Sequence, residues 1–139
     1  MHRLLAFWRQ KGGGAAVEMA IVTPVVVGLA LVSAEVWMMA MDKQRAATAL
    51  DAGSDYYMGG GSSDDEAISV ALAAWQDQPE SGTVSLVRSA RCGVEASDLS
   101  ATCPDGSAPA IYVTLAAHAV SRGLFEARDV DAERTVRVR

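Results

Sequence analysis

The sequence predicts an α+β protein. One long N-terminal helix crosses a membrane and continues into a small domain with a short helix and a three- to four-stranded antiparallel sheet. Three observations carry this reading. An almost unbroken apolar run lies between Ala15 and Met41. A proline-free stretch of good helix formers follows it. Beyond Gly82, short runs rich in β-branched residues are separated by loops of Gly, Ser and Pro.

The elements follow in chain order. Residues 1–13 form a basic leader with Arg3, Arg9 and Lys11 and no acid. Residues 14–41 form the membrane-spanning segment, since a hydrocarbon core takes about 20 mostly apolar residues and Met19 to Ala34 carry no charge. Glu35 is expected at the outer interface, where Trp37 is also well placed. Residues 42–58 continue the helix outward, with Gly53 or the Gly59-Gly60-Gly61 run as its stop. Residues 62–139 form the outer domain. There, Ser63 and Glu66 make a capping-box pair that opens the second helix, whose Ile68, Ala71, Leu72 and Trp75 share one face. Gln78 to Gly82 is a turn, and a strand runs from Thr83 to about Arg91 with Val84 and Leu86 on one face. Gly93–Pro109 is a polar loop. Ile111–Val120 is the strongest strand, Asp129, Asp131 and Glu133 read as a solvated loop, and Thr135–Arg139 is a terminal strand.

Charge is segregated along the chain. From Asp42 onward there are nine basic and fifteen acidic residues, a net of −6, whereas the leader is purely basic. This bias favours an N-in, C-out topology, with the N-terminus cytoplasmic and the acidic domain periplasmic or otherwise extracytoplasmic. No Lys/Arg cluster of the kind a nucleic-acid interface requires is present. Cys92 and Cys103 fit neither a CxxC redox pair nor a zinc ligand set. Outside the membrane they are expected to form a disulfide, worth ~2–4 kcal/mol; the alternative is two unrelated buried thiols.

The informative segment is Lys11-Gly12-Gly13-Gly14-Ala15-Ala16-Val17-Glu18-Met19-Ala20, followed by Pro24, the aliphatic run Val25–Val32 and Glu35. A basic leader, a glycine, small residues and a glutamate just inside the membrane resemble the processing site of type IV prepilins. The order more closely resembles that of the TadE/TadF pseudopilins of tight-adherence (Flp) pilus systems. The resemblance covers about Lys11–Asp51 and includes Gln44-Arg45-Ala46-Ala47 after the membrane. Met19 and Val36 stand where the family commonly has an aromatic residue.

The resemblance implies a pilin-like fold and a cut between Gly13 and Gly14 by a prepilin peptidase, which makes Glu18 the fifth residue of the mature chain. It also implies that Glu18 pairs with the amino terminus of a neighbouring pilin or pseudopilin, so that a carboxylate costly in lipid becomes an assembly contact. Independently of any family, glycine leaves the backbone unobstructed for a peptidase, and three glycines also serve as a hinge. Pro24 removes one helical hydrogen bond and is expected to kink the helix.

No catalytic set, cofactor motif or metal-ligand spacing is found. His118 reads as a surface or hydrogen-bonded strand residue, and Asp64, Asp65 and Glu66 read as helix-capping acids rather than a calcium loop. The leading expectation is a non-enzymatic minor pilin in the cytoplasmic membrane that helps assemble a thin pilus for adhesion or secretion. One alternative is a secreted protein with an ordinary signal peptide, using the apolar core Ile21–Val32 and the small-residue site Val32-Ser33-Ala34. Another is an uncleaved anchor carrying a ligand-binding domain.

Overall fold

A computed structural model of the protein describes residues 13–138. Among the described residues two helices and four strands follow one another: α1 (Gly13–Met58), α2 (Asp64–Ala74), β1 (Thr83–Cys92), β2 (Glu95–Ser97), β3 (Ala110–Arg122) and β4 (Ala127–Arg137). This is the predicted α+β class. The strands form one antiparallel sheet in the order β2-β1-β3-β4. The chain divides into two units at the junction of Trp37 and Met38.

In the second unit, α1 changes character. Its apolar positions narrow to a stripe of small residues, and Ala46, Ala49, Leu50, Gly53 and Tyr57 are buried at helical spacing. Gly53 does not stop the helix, contrary to one of the two sequence expectations. A Cβ there would lie 3.1 Å from the Ala67 carbonyl oxygen, the Ala71 Cβ and Leu115 Cδ2. The glycine is a point of close approach between α1, α2 and the sheet. Helix propensity is locally sacrificed for packing.

The helix ends at the other candidate, the glycine run. Gly61 N–H donates to the Tyr56 carbonyl at 2.9 Å and Gly60 N–H to the Tyr57 carbonyl at 3.0 Å. Gly60 takes φ +92°. These are the two bonds and the left-handed residue of a Schellman cap.

Ser63 caps α2, its hydroxyl accepting from Glu66 N–H at 3.3 Å. The reciprocal half of the capping box is altered. Ser63 N–H donates to the Tyr56 hydroxyl at 3.3 Å, and that hydroxyl donates to the Glu66 carboxylate. A tyrosine from the last turn of α1 thus stands between the two capping residues. The buried face of α2 also differs from the expected one. Ala67, Ala71 and Trp75 form its centre, while Ile68 and Leu72 are only partly buried. Alanine wins over the larger residues because α1 approaches at Gly53.

Both helical segments cover one face of the sheet. Val84, Leu86 and Ala90 of β1, Val113, Leu115, Ala117 and Ala119 of β3, and Val130 of β4 point inward by strand alternation. The opposite face is open and largely polar. Here the acids expected in a loop lie in β4: Asp129, Asp131 and Glu133 alternate with Val130 and Ala132, and pair with β3 at Val120, His118 and Ala116. One-sided burial allows this, since solvent-facing strand positions tolerate charge. Within the expected loop 93–109 the chain also forms β2 through a two-residue turn, where Gly93 takes φ +68°.

Charged side chains also lie on the inward side, Arg88 among them. Arg88 of β1 reaches Asp64 at the start of α2, with Nε 2.9 and 3.0 Å from its two carboxylate oxygens, and its Nη2 reaches the Ser62 carbonyl at 3.3 Å. Tyr57 adds its hydroxyl to the same carboxylate at 2.5 Å. Burial and the Asp64 hydrogen bond push the Tyr57 phenol up to about 12. The Arg88 hydrogen bonds hold the Asp64 carboxyl below its ordinary 3.8. The network joins the end of α1, the start of α2 and the central part of β1.

Two predictions follow from this packing. Gly53→Val should lower stability by about 1–3 kcal/mol through overpacking, whereas Val87→Thr on the open face should change it by less than about 0.5 kcal/mol; chemical unfolding followed by near-ultraviolet circular dichroism compares them. The depressed Asp64 value means that its contribution is full above about pH 4 and is lost as pH falls through the folded value. The side chains of Arg88 and Asp64 are 32% and 39% exposed, so the pair contributes ~0.5–1 kcal/mol. The stability gap between the wild type and Asp64→Asn should therefore close on acidification; a gap independent of pH would show that the ionised pair is not its source.

Candidate assembly site on the apolar helix

The sequence-derived site residues fall at the start of α1 and at the far end of β1. Residues 1–12 of the expected leader lie outside the described residues, and Gly13 and Gly14 open the helix. Val17, Met19, Ile21, Val22, Val25, Val26, Val27, Leu29, Leu31 and Val32 are all between 44% and 68% exposed. An α-helix that is apolar on every side has no face reserved for an aqueous core. Among the described residues, α1 is the one helix long and apolar enough to cross a membrane. Its length and composition suggest a single-pass membrane anchor.

Polar groups in this span are few and differently handled. Ser33 Oγ donates to the Leu29 carbonyl at 2.8 Å, so its hydroxyl is satisfied within the helix. Pro24 lies inside α1; lacking an N–H, it leaves the Ala20 carbonyl without its usual helical donor. Glu18 is exposed near the start of the span. It is one turn, ~6 Å of helical rise, beyond Gly14, and the i,i+4 spacing places both on the same side of the helix. Glu35, expected at a wetted interface, is instead only 4% exposed. Sequence spacing does not register what covers a side chain.

At the other end, Cys92 and Cys103 are joined by a disulfide with a Cα–Cα distance of 5.6 Å. It fastens the loop after β2 to the end of β1. Within that loop Asp105 accepts from Ser107 N–H at 3.0 Å and from its hydroxyl at 2.7 Å. The Ser107 hydroxyl, then its N–H, hold the Asp105 carboxyl below its ordinary value. A cleft of about 530 Å³ opens beside the disulfide, lined in part by Arg91, Tyr112 and Arg137. The Arg91 guanidinium lies 5.7 Å from the centre of the Tyr112 ring.

The chemistry available here is modest. His118 Nδ1 is 2.8 Å from the Asp131 carboxylate, whose hydrogen bond raises the imidazole above its ordinary value. The neighbouring Thr83 hydroxyl donates to the His118 carbonyl at 3.4 Å, and so is not aligned with the ring as a nucleophile would be. Among the described residues, no group of three or more His, Cys, Asp or Glu could hold a metal ion.

The comparison with protein families bears on the helix. Residues 13–55 match the model of a family described as TadE-like protein. Over these residues α1 is similar to that family. The match begins at Gly13, the first residue of α1, and ends within its domain-packing half. It thus takes in Glu18, Pro24, Glu35 and Gly53. Searches of curated proteins and of solved structures gave no significant match.

Sequence reading missed the close-packing role of Gly53 and the Tyr57–Asp64–Arg88 network. A glycine among helix formers at the spacing of Ala46, Ala49 and Leu50 is a usable signal for the first. Nothing in one sequence links residues 57, 64 and 88, because their meeting depends on the fold.

Proposed function

We propose that the chain is a minor pilin or pseudopilin of a Tad-type pilus, with a structural rather than catalytic role. Its proposed parts are a leader at 1–13, a membrane span at 14–41, a helix extension at 42–58 and an outer domain at 62–139. The observation that supports this most directly is the TadE-like match across a helix of membrane-spanning length, with Glu18 one turn after Gly14.

In this mechanism a prepilin peptidase at the cytoplasmic membrane cuts the Gly13–Gly14 bond. The new ammonium group at Gly14 then provides a positive charge at the depth of Glu18. Within lipid an isolated carboxylate is costly, so pairing it with the terminus of another pilin or pseudopilin offsets that cost and selects correctly registered subunits. Pro24 loosens the helix where subunits pack. The acidic domain lies outside the membrane, by the charge bias of the flanks. The completed subunit serves assembly of a thin pilus for adhesion or secretion.

N-terminal sequencing of the mature protein tests the cut. Gly14 as the first residue is expected; Glu35 would establish ordinary signal-peptide cleavage, and Met1 an uncleaved anchor. The Glu18→Ala variant should insert in the membrane at the wild-type level but strongly reduce piliation seen by electron microscopy. Normal piliation would remove the assembly role assigned to that carboxylate.

A further inference from the structure

The Arg91 guanidinium lies over the Tyr112 ring. Among the described residues it has no hydrogen-bond or ion-pair partner, and the Tyr112 hydroxyl has none either. Their neighbours Ala90 and Val113 are buried on the inward side, so strand alternation turns Arg91 and Tyr112 to the open face. Both line the cleft of about 530 Å³ beside the Cys92–Cys103 disulfide, a size within the range that holds small ligands. The other wall is the turn at Cys103. Gly106 N–H donates to the Cys103 carbonyl at 2.8 Å, and Cys103 N–H donates to the Ser107 carbonyl at 2.9 Å. The disulfide ties this turn to β1, so the cleft is formed before any ligand arrives. On that wall Asp105 takes both Ser107 hydrogen bonds on Oδ1, and its Oδ2 takes part in neither.

We propose that this cleft binds a carboxylate-bearing sugar of the hexuronic acid class. The Arg91 guanidinium presents its N–H donors in a planar fork that matches a carboxylate. The Tyr112 hydroxyl beside it both donates and accepts, which suits a carboxylate oxygen or a ring hydroxyl. Asp105 accepts a hydrogen bond from a sugar hydroxyl on Oδ2. The site belongs wholly to the second unit, and no described residue of α1 lines it. It is therefore separate from the assembly role of Glu18.

The charges select among ligands. Arg91 and Arg137 are positive and Asp105 is negative, so the lining carries a net of +1. Arg137 has an interaction of its own and contributes only its charge. Glu95 and Asp98, close by in sequence, do not line the cleft. A net positive lining favours a net negative ligand over a zwitterion. A bare inorganic anion, which has no donor to offer, meets like charge at Asp105. A uronic acid brings the carboxylate for Arg91 and hydroxyl donors for Asp105 on one rigid ring. The rest of the lining is mostly small residues, among them Gly93, Pro104 and Ala108, and forms no apolar pocket for an acyl chain.

Titration calorimetry of the full chain in detergent micelles tests this, with trigalacturonic acid and glucuronic acid as probes. Saturable binding of at least one is expected. Arg91→Gln should weaken it about tenfold or more, as loss of a hydrogen bond to a charged group does. Tyr112→Phe and Asp105→Asn should each weaken it severalfold, and Arg122→Gln at the opposite end of β3 should leave it unchanged. Near-ultraviolet circular dichroism identifies the variants that keep the native fold, and Tyr112→Phe, which retains the ring, serves if Arg91→Gln does not. Absence of saturable binding by either acid overturns the inference. So does equal affinity for the methyl ester of trigalacturonic acid, which lacks the charge. Equal affinity for inorganic phosphate would reveal a general anion site, and equal affinity for diglycine a zwitterion site; either result overturns the sugar assignment. Unchanged affinity in folded Arg91→Gln and Tyr112→Phe would place binding elsewhere and overturn it as well.

Discussion

Close packing of α1 against α2 and the sheet sets the rest of the outer domain. Where α1 passes Gly53, the backbone and side chains of both neighbours approach so closely that even one methyl group would have to displace something. The small residues Ala46, Ala49, Ala67 and Ala71 are buried on the facing helix surfaces, and Leu50, Leu115, Val113 and Val130 fill the space between them and the sheet. Because interiors pack at crystal-like density, such a contact fixes the relative placement of three elements at once. The Schellman cap at Gly60 and the Ser63 cap with its Tyr56 link then have one chain path available between the two helices.

The same helix serves two solvents. From Val17 to Leu31 its side chains are apolar on nearly every side, as lipid requires, because no aqueous face is needed. From Ala46 to Tyr57 it carries a narrow buried stripe, as a helix against a sheet requires. The transition involves a change in side-chain pattern and no break in the hydrogen-bonded backbone. A TadE-like match that spans both regions fits this continuity. The open face of the sheet is left polar, with Thr114 and Thr135 joined across strands at 2.9 Å and His118 joined to Asp131.

Where the sequence misled, local rules met tertiary ones. Gly53 satisfied a helix-stop rule, and the glycine run six residues later satisfied it better, because only there does the chain turn with a left-handed residue. The acids of β4 satisfied a loop rule through their charge. Their alternation with Val130, Ala132 and Val136 was the stronger signal, since period-two patterning reports a half-buried strand whatever the polar residues are. β2 is three residues long, too short for any periodicity to show.

By itself the sequence determined the class of the protein, the long apolar helix and the order of charge and glycine around Glu18. These features depend on composition and on neighbours within one or two turns, and so are written locally. It also placed the two cysteines and the main strands. Only the tertiary structure decided that Gly53 is a contact, that alanines centre the buried face of α2 and that Arg88 turns inward to Asp64. Each joins residues distant in the chain. Their energies come from packing and desolvation, which exist only after the elements have met.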